Sequence, residues 1–287
     1  MFMVRLFRLL GHLPLGLMQA LGAALGWLVW LLSSGYRLRL ESQARAAGFS
    51  PQQYRPAVAA IGTMVAELPW LWLRPRSKGV LDLVRWDGAE LFEQALDAGQ
   101  GVILALPHLG CWEMIGQSLA ERYGPTRGPL VALYRPARKA WLGPLVASSR
   151  DRPGLKAVPT SVSGVRSLIR VLRGGGYTAI LPDQVPPQGQ GAWAPFFGRP
   201  AYTMTLLPRL AQQSGARVLL CWCERLGVGK GYVMHFEPLD APELHDAAAT
   251  PEAATAAVNV GMERLIRQAP GQYLWSYARY KQPAQDA

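Results

Sequence analysis

The chain has 287 residues, of which 50% are hydrophobic and only 17% charged, with a net charge of +11. That length holds one large domain or two small ones, and the composition excludes a disordered or collagen-like chain. The basic excess points to an acidic partner: nucleic acid, an anionic membrane surface or a phosphorylated substrate, against a background in which Arg heavily outnumbers Lys as a compositional habit.

Residues 9–36 contain no Asp, Glu, Lys or Arg. Leu, Ala, Gly and Trp dominate residues 13–32, and about 20 residues at ~1.5 Å each match the ~30 Å of a hydrocarbon core. Arg5 and Arg8 flank one side, Arg37, Arg39 and Arg45 the other, and Trp27, Trp30 and Tyr36 sit where an interfacial belt would lie. A cleaved signal peptide fits poorly, because the apolar run is long and Arg follows it. A single spanning helix is the first expectation, with a monotopic helix as the second, since Pro14 and four glycines soften the segment. Residues 1–40 are accordingly expected to be the membrane anchor and residues 41–287 one further domain.

The rest of the chain alternates helix and strand. Residues 41–75 read as helical, with Ser50-Pro51 as a helix start. Residues 80–86 read as a strand and Asp87 as the cap of a helix to Leu96. Residues 101–106 (Gly-Val-Ile-Leu-Ala-Leu) form a short continuous apolar run, which predicts a buried strand. A helix over 112–122, a strand over 130–134 and a helix around 139–149 come next. They are followed by a strand over 155–158, a helix over 164–172 and a strand over 177–181. A helix over 203–214, strands over 218–224 and 232–237, a helix over 251–268 and a last strand over 273–277 complete the series. Short connections predict an α/β fold with a mixed, largely parallel sheet flanked by helices.

Cys111, Cys221 and Cys223 are too few and too irregular for a disulfide framework. The two later cysteines alternate along a strand and read as core. His12, His235 and His245 stand apart, so no metal site is expected.

In open α/β sheets a site lies beyond the carboxyl ends of the strands. His108 stands there, with Glu113 five residues on. If His108 lies in a loop and Glu113 in the first helical turn, the carboxylate can reach one imidazole nitrogen and leave the other to accept a hydroxyl proton. On residue types alone, a structural histidine at a strand end is the preferred reading. Cys111 lies between them, but no second histidine is at hand to activate it.

The segment Pro107-His108-Leu109-Gly110-Cys111-Trp112-Glu113 resembles the HxxxxD/E motif of the glycerolipid acyltransferases. Nearly the full chain resembles the branch that adds secondary acyl chains to lipid A, the lauroyl/myristoyl acyltransferase family. Tyr134-Arg135-Pro136, Leu181-Pro182-Asp183-Gln184, Pro195-Phe196-Phe197-Gly198-Arg199-Pro200 and Gln272-Tyr273-Leu274-Trp275 through Arg279-Tyr280-Lys281 follow the family's order of blocks. Ala278 departs from it, standing where a basic residue is frequent.

The resemblance implies transfer of a fatty acyl chain from an acyl-carrier-protein thioester to a hydroxyl of a lipid A precursor, without a cofactor. It implies His108 as general base and Glu113 as its orienter, with Arg135, Asp183, Gln184, Gly198, Arg199 and Arg279 toward substrate. Expected partners are acyl carrier protein, the lipid A precursor and anionic lipids of the bacterial inner membrane, with the catalytic domain on the cytoplasmic side. Nucleic acid is not an expected partner, because the basic residues are scattered and carry no recognisable binding motif. The same chemistry directed at another glycolipid or an aminolipid is the alternative.

Overall fold

A computed structural model of the chain describes residues 7, 9–75, 77–134, 143 and 152–284. Helix α1 (Leu15–Leu32) opens them, followed by α2 (Ser34–Ala46), the one-turn α3 (Pro51–Tyr54) and α4 (Pro56–Leu73). The expected start at Ser50 is present, with the Ser50 N–H donating to Gln53 Oε1 at 2.9 Å. Strand β1 (Val84–Asp87) is shorter than its apolar run, since a 3₁₀ turn takes Leu81–Leu83. Asp87 ends that strand and does not cap the following helix α5 (Ala89–Asp97). Gly88 sits at the cap with φ 70°, and the Asp87 carboxylate pairs with His235 Nδ1 at 2.8 Å.

The central sheet runs β1, β9 (Tyr232–Pro238), β8 (Arg217–Arg225), β2 (Val102–Ala105) and β5 (Tyr177–Ile180). Every neighbouring pair is parallel except β8 with β9, so the sheet is mixed and mostly parallel, as expected. Strands β3 (Leu130–Tyr134) and β4 (Leu155–Pro159) form a parallel pair, and Thr178 Oγ1 of β5 donates to Val131 O of β3 at 2.7 Å. Helices α6 (Trp112–Arg127), α7 (Val162–Arg173), α8 (Leu206–Ser214) and α9 (Pro251–Gln268) complete the layers.

Both sheet faces are covered. Along β2, Ile103 and Ala105 enter one core while Val102 and Leu104 enter the other, the two-residue period of a strand. In β8, Cys221 and Cys223 share the second core, as their spacing predicts.

Two further expectations fail. Residues 273–277 form no strand; a 3₁₀ turn (Pro270–Gln272) leads to Tyr273, whose single bridge is to Leu109. The stretch before α8 is not helical from Thr203, because β6 (Gly191–Phe196) and β7 (Arg199–Met204) pair as an antiparallel hairpin. Its two-residue turn holds Phe197 at φ 48° and Gly198 at φ 71°, the left-handed pair that matches the twist of a tight hairpin. The cost at Phe197 is offset locally: its N–H donates to Glu263 Oε1 at 2.6 Å and its ring packs on Phe49, Phe196 and Trp275. The helix expected around 139–149 lies outside the described residues.

Helix α1 is not free-standing. Its Gly22 and Gly26, at the close-packing spacing, cross α4 at Gly62; a Cβ on Gly22 would come within 2.6 Å of Ala66 Cβ and 2.7 Å of Gly62 O. Gln19 is fully buried in that seam, donating to Glu67 Oε1 at 2.8 Å and accepting from the Gly229 N–H at 2.7 Å. The other face exposes Leu17, Leu21, Leu25, Leu28, Leu31 and Leu32. Both α1 and the stretch Pro51–Leu73 are long and apolar enough to cross a membrane.

Candidate active site

His108 and Asp183 are brought together by strand register. In the parallel β2–β5 pair Ala105 faces Ile180, and each site residue lies three positions beyond its strand's end. The ladder continues one step, with Leu106 N–H donating to Ile180 O at 3.0 Å. Asp183 then accepts twice: from His108 Nδ1 at 2.7 Å and from the His108 backbone N–H at 2.9 Å. Holding Nδ1 as the donor leaves Nε2 with its lone pair outward, and the Gln184 side-chain amide donates to it at 3.0 Å.

Asp183 is 2% exposed. Burial alone would raise its carboxyl, but the imidazole, the two His108 donors and the nearby Arg279 guanidinium outweigh that and hold it below the ordinary carboxylate range. Behind it, Tyr273 is buried, and burial together with the Asp183 charge pushes its phenol well up, so it stays neutral.

Glu113 stands in the first turn of α6, where the sequence places it. Yet the carboxylate at Nδ1 is Asp183, and Glu113 Oε2 accepts from Trp72 Nε1 at 3.1 Å. The loop explains the difference. His108 O accepts from Leu274 N–H and the Gly110 N–H donates to Gln272 O, so the loop is tied down while the imidazole packs edge-on against Trp112 and bonds Asp183. Gly110 takes φ 61° within contact of the Cys223 backbone, a position that needs glycine.

Of the other residues implied by the resemblance, Arg135 lies outside the described residues. Gly198 and Arg199 belong to the β6–β7 turn, with the Arg199 guanidinium 4.0 Å from the centroid of the Tyr280 ring, and neither is among the residues lining the cavities at His108. Arg279 is 2% exposed, donating to Tyr202 O and Thr203 Oγ1, so it acts from behind Asp183 rather than on a solvated face. Cys111 is buried, and burial, reinforced by the Glu67 carboxylate, pushes its thiol well up, which suits core and not a nucleophile.

Sequence reasoning missed the support beneath the loop. Arg225 at the end of β8 binds Glu67 of α4 through Nε at 2.9 Å and Nη2 at 2.5 Å, with the two side chains 7% and 0% exposed. Tyr232 and Gln19 complete the coordination of Glu67. Gln272 holds both backbone groups of Arg225 and, through its own carbonyl, the Gly110 N–H. The signal was present: Glu67 is the one acidic residue between Pro56 and Leu73.

Two cavities open on His108. One, of about 250 Å³, is lined chiefly by Leu106, Ile115, Leu130, Leu133, Leu155 and Leu181, with Trp112 and Glu113 at its wall. The other, of about 930 Å³, carries the polar groups Gln184, Gln190, Thr160 and Ser161. His108, Leu133, Ala179 and Leu181 border both. The smaller slot and the wider chamber, both lined mainly by apolar side chains, thus meet at one imidazole, whose Nε2 is held by the Gln184 amide.

A carboxylate-held histidine at adjacent strand ends of an α/β sheet, where two cavities meet, is a candidate acid–base site of an enzyme. The chain matches the bacterial lipid A biosynthesis acyltransferase family over residues 1–282, and it belongs to that family. It is 26% identical over 276 residues to a lipid A biosynthesis acyltransferase of Haemophilus influenzae, covering 93% of this chain and 82% of the relative. A lipid A biosynthesis lauroyltransferase of Escherichia coli is 26% identical over 226 residues, 77% of this chain and 68% of the relative. A phosphatidylinositol mannoside acyltransferase of Mycobacterium tuberculosis is 30% identical over 148 residues, 50% of this chain and 45% of the relative. Acyl transfer in lipid A biosynthesis is therefore the activity its family defines.

Proposed function

We propose that this protein transfers a fatty acyl chain from an acyl-carrier-protein thioester to a hydroxyl of a lipid A precursor, with His108 as general base. The observation that carries this reading is the Asp183–His108 pair, which stands where the two cavities meet, with Nε2 held only by the Gln184 amide. The acyl chain lies in the smaller slot and the acceptor enters the larger chamber. The acceptor hydroxyl displaces the Gln184 amide from Nε2, gives its proton to the imidazole and attacks the thioester carbonyl. Collapse of the tetrahedral intermediate expels the carrier thiolate, which takes that proton back. Asp183 fixes the tautomer and stabilises the imidazolium, the part the sequence assigned to Glu113. Glu113, on the wall of the slot that His108 borders, adds negative potential near the same ring.

The developing oxyanion needs donors. Gly110 and Cys111 spend their N–H groups on Gln272 O and Cys223 O, so they do not serve. The start of α6 at Trp112, with no side-chain cap, and the released Gln184 amide are the donors in this reading.

The protein sits on the cytoplasmic side of the inner membrane as a monotopic enzyme. A spanning α1 would pull its buried partners Glu67 and Arg225 into hydrocarbon, whereas its exposed leucine face can enter one leaflet while Gln19 stays in the protein. Basic residues around it meet anionic headgroups.

The test is to incubate the purified protein with acyl-carrier-protein thioesters of several lengths and a tetra-acylated lipid A precursor, then weigh the lipid products. Gain of one acyl mass is expected. Acylation of a different glycolipid alone would keep the chemistry and remove the acceptor assignment.

A further inference from the structure

The larger cavity carries two arginines that the reaction does not use. Arg166 reaches its wall from α7 and Arg209 from α8, two helices that pack on one another. Both side chains are exposed, and neither forms an ion pair among the described residues. No described residue lining the cavity is Asp or Glu. Two like charges therefore line one chamber with no acidic residue among its described lining, an arrangement that favours an anion there. The Gln213 side chain on the same wall adds a neutral donor.

We propose that Arg166 and Arg209 form a phosphate-recognising rim, holding a phosphate group of the substrate in the larger cavity while its reacting end lies at His108. This rests on the acyl-transfer reading above for the orientation of substrate, but the rim itself is defined by charge and cavity. Guanidinium pairs suit phosphate oxygens through paired N–H donors, which a lone ammonium matches less well. Two sources present this chemistry: a phosphate monoester on the glycolipid acceptor, or the phosphodiester of the carrier's pantetheine arm.

The experiment uses the full-length protein and the variants Arg166→Gln, Arg209→Gln, the double variant and Arg166→Lys/Arg209→Lys. Initial rates are taken with phosphorylated and enzymatically dephosphorylated acceptor, and with carrier-bound against pantetheine-free acyl thioester. With the acceptor as source, the double Gln variant raises KM for the phosphorylated acceptor roughly 10- to 100-fold and leaves KM for the dephosphorylated one near native, with partial recovery in the Lys pair. With the carrier as source, the KM change follows the carrier-bound donor and is the same for both acceptors; phosphate recognition stands in either case. Calorimetric titration with the phosphorylated acceptor and with inorganic pyrophosphate is read without turnover, so it tests the rim even if no acyl group moves. Binding and KM values that match the native protein across all ligands overturn the proposal.

Discussion

Asp183 receives both the Nδ1 proton and the backbone N–H of His108, at 2.7 and 2.9 Å, so one buried carboxylate fixes the ring and the loop that carries it. The double contact makes the tautomer a property of the fold. Asp183→Asn keeps the shape but presents an amide where an acceptor is required. It is expected to lower kcat by roughly 10²- to 10⁴-fold, and more than Glu113→Gln does, in initial-rate measurements. A larger loss in the Glu113 variant would return the orienting role to that residue.

The depressed Asp183 carboxyl links stability to pH. Its folded value lies below the unfolded value of ~3.9, so its contribution is fully present above that pH and is lost as pH falls through the folded value. Denaturant titrations between neutral pH and strong acid should show the native protein losing stability across that acidic window. The slope should be shallower in Asp183→Asn.

Gln184→Glu replaces a neutral donor at His108 Nε2 with a carboxylate. The amide donor is lost and a negative charge faces the developing oxyanion, so kcat should fall further in Gln184→Glu than in Gln184→Ala in initial-rate measurements.

Beneath the loop, Glu67→Gln leaves the buried Arg225 without its charge partner. Breaking such a pair costs about 3–5 kcal/mol, read as a lower denaturation midpoint. Because Arg225 and Gln272 together hold Gly110, activity should fall as well. Gly22→Val overpacks the α1–α4 seam and should cost about 1–3 kcal/mol by the same measurement.

The layers and most strands were legible because β2, β5 and β8 are short apolar runs between turn residues, and the helix Pro251–Gln268 carries its own cap and apolar period. His108 and Asp183 were each legible as strand-end residues, but their pairing was not. It follows from β2 lying beside β5 with Ala105 facing Ile180, a nonlocal register that spacing along the chain does not encode. Glu113 takes the orienting role from the resemblance to the HxxxxD/E motif, which the spacing only permits. The β6–β7 hairpin was hidden for another reason: Pro195 and Pro200 flank its turn, and proline within a run argues against a strand. The resemblance puts Arg279 toward substrate; the tertiary structure buries it behind Asp183.

In the proposed mechanism His108 activates the acceptor hydroxyl directly, with no nucleophile from the enzyme. Initial rates of lipid acylation in the native protein, His108→Ala and Cys111→Ala test it in one assay. The account predicts a loss of at least about 10²-fold for His108→Ala, and a rate near native for Cys111→Ala. Full transfer by His108→Ala, or its loss in a folded Cys111→Ala protein, would contradict it.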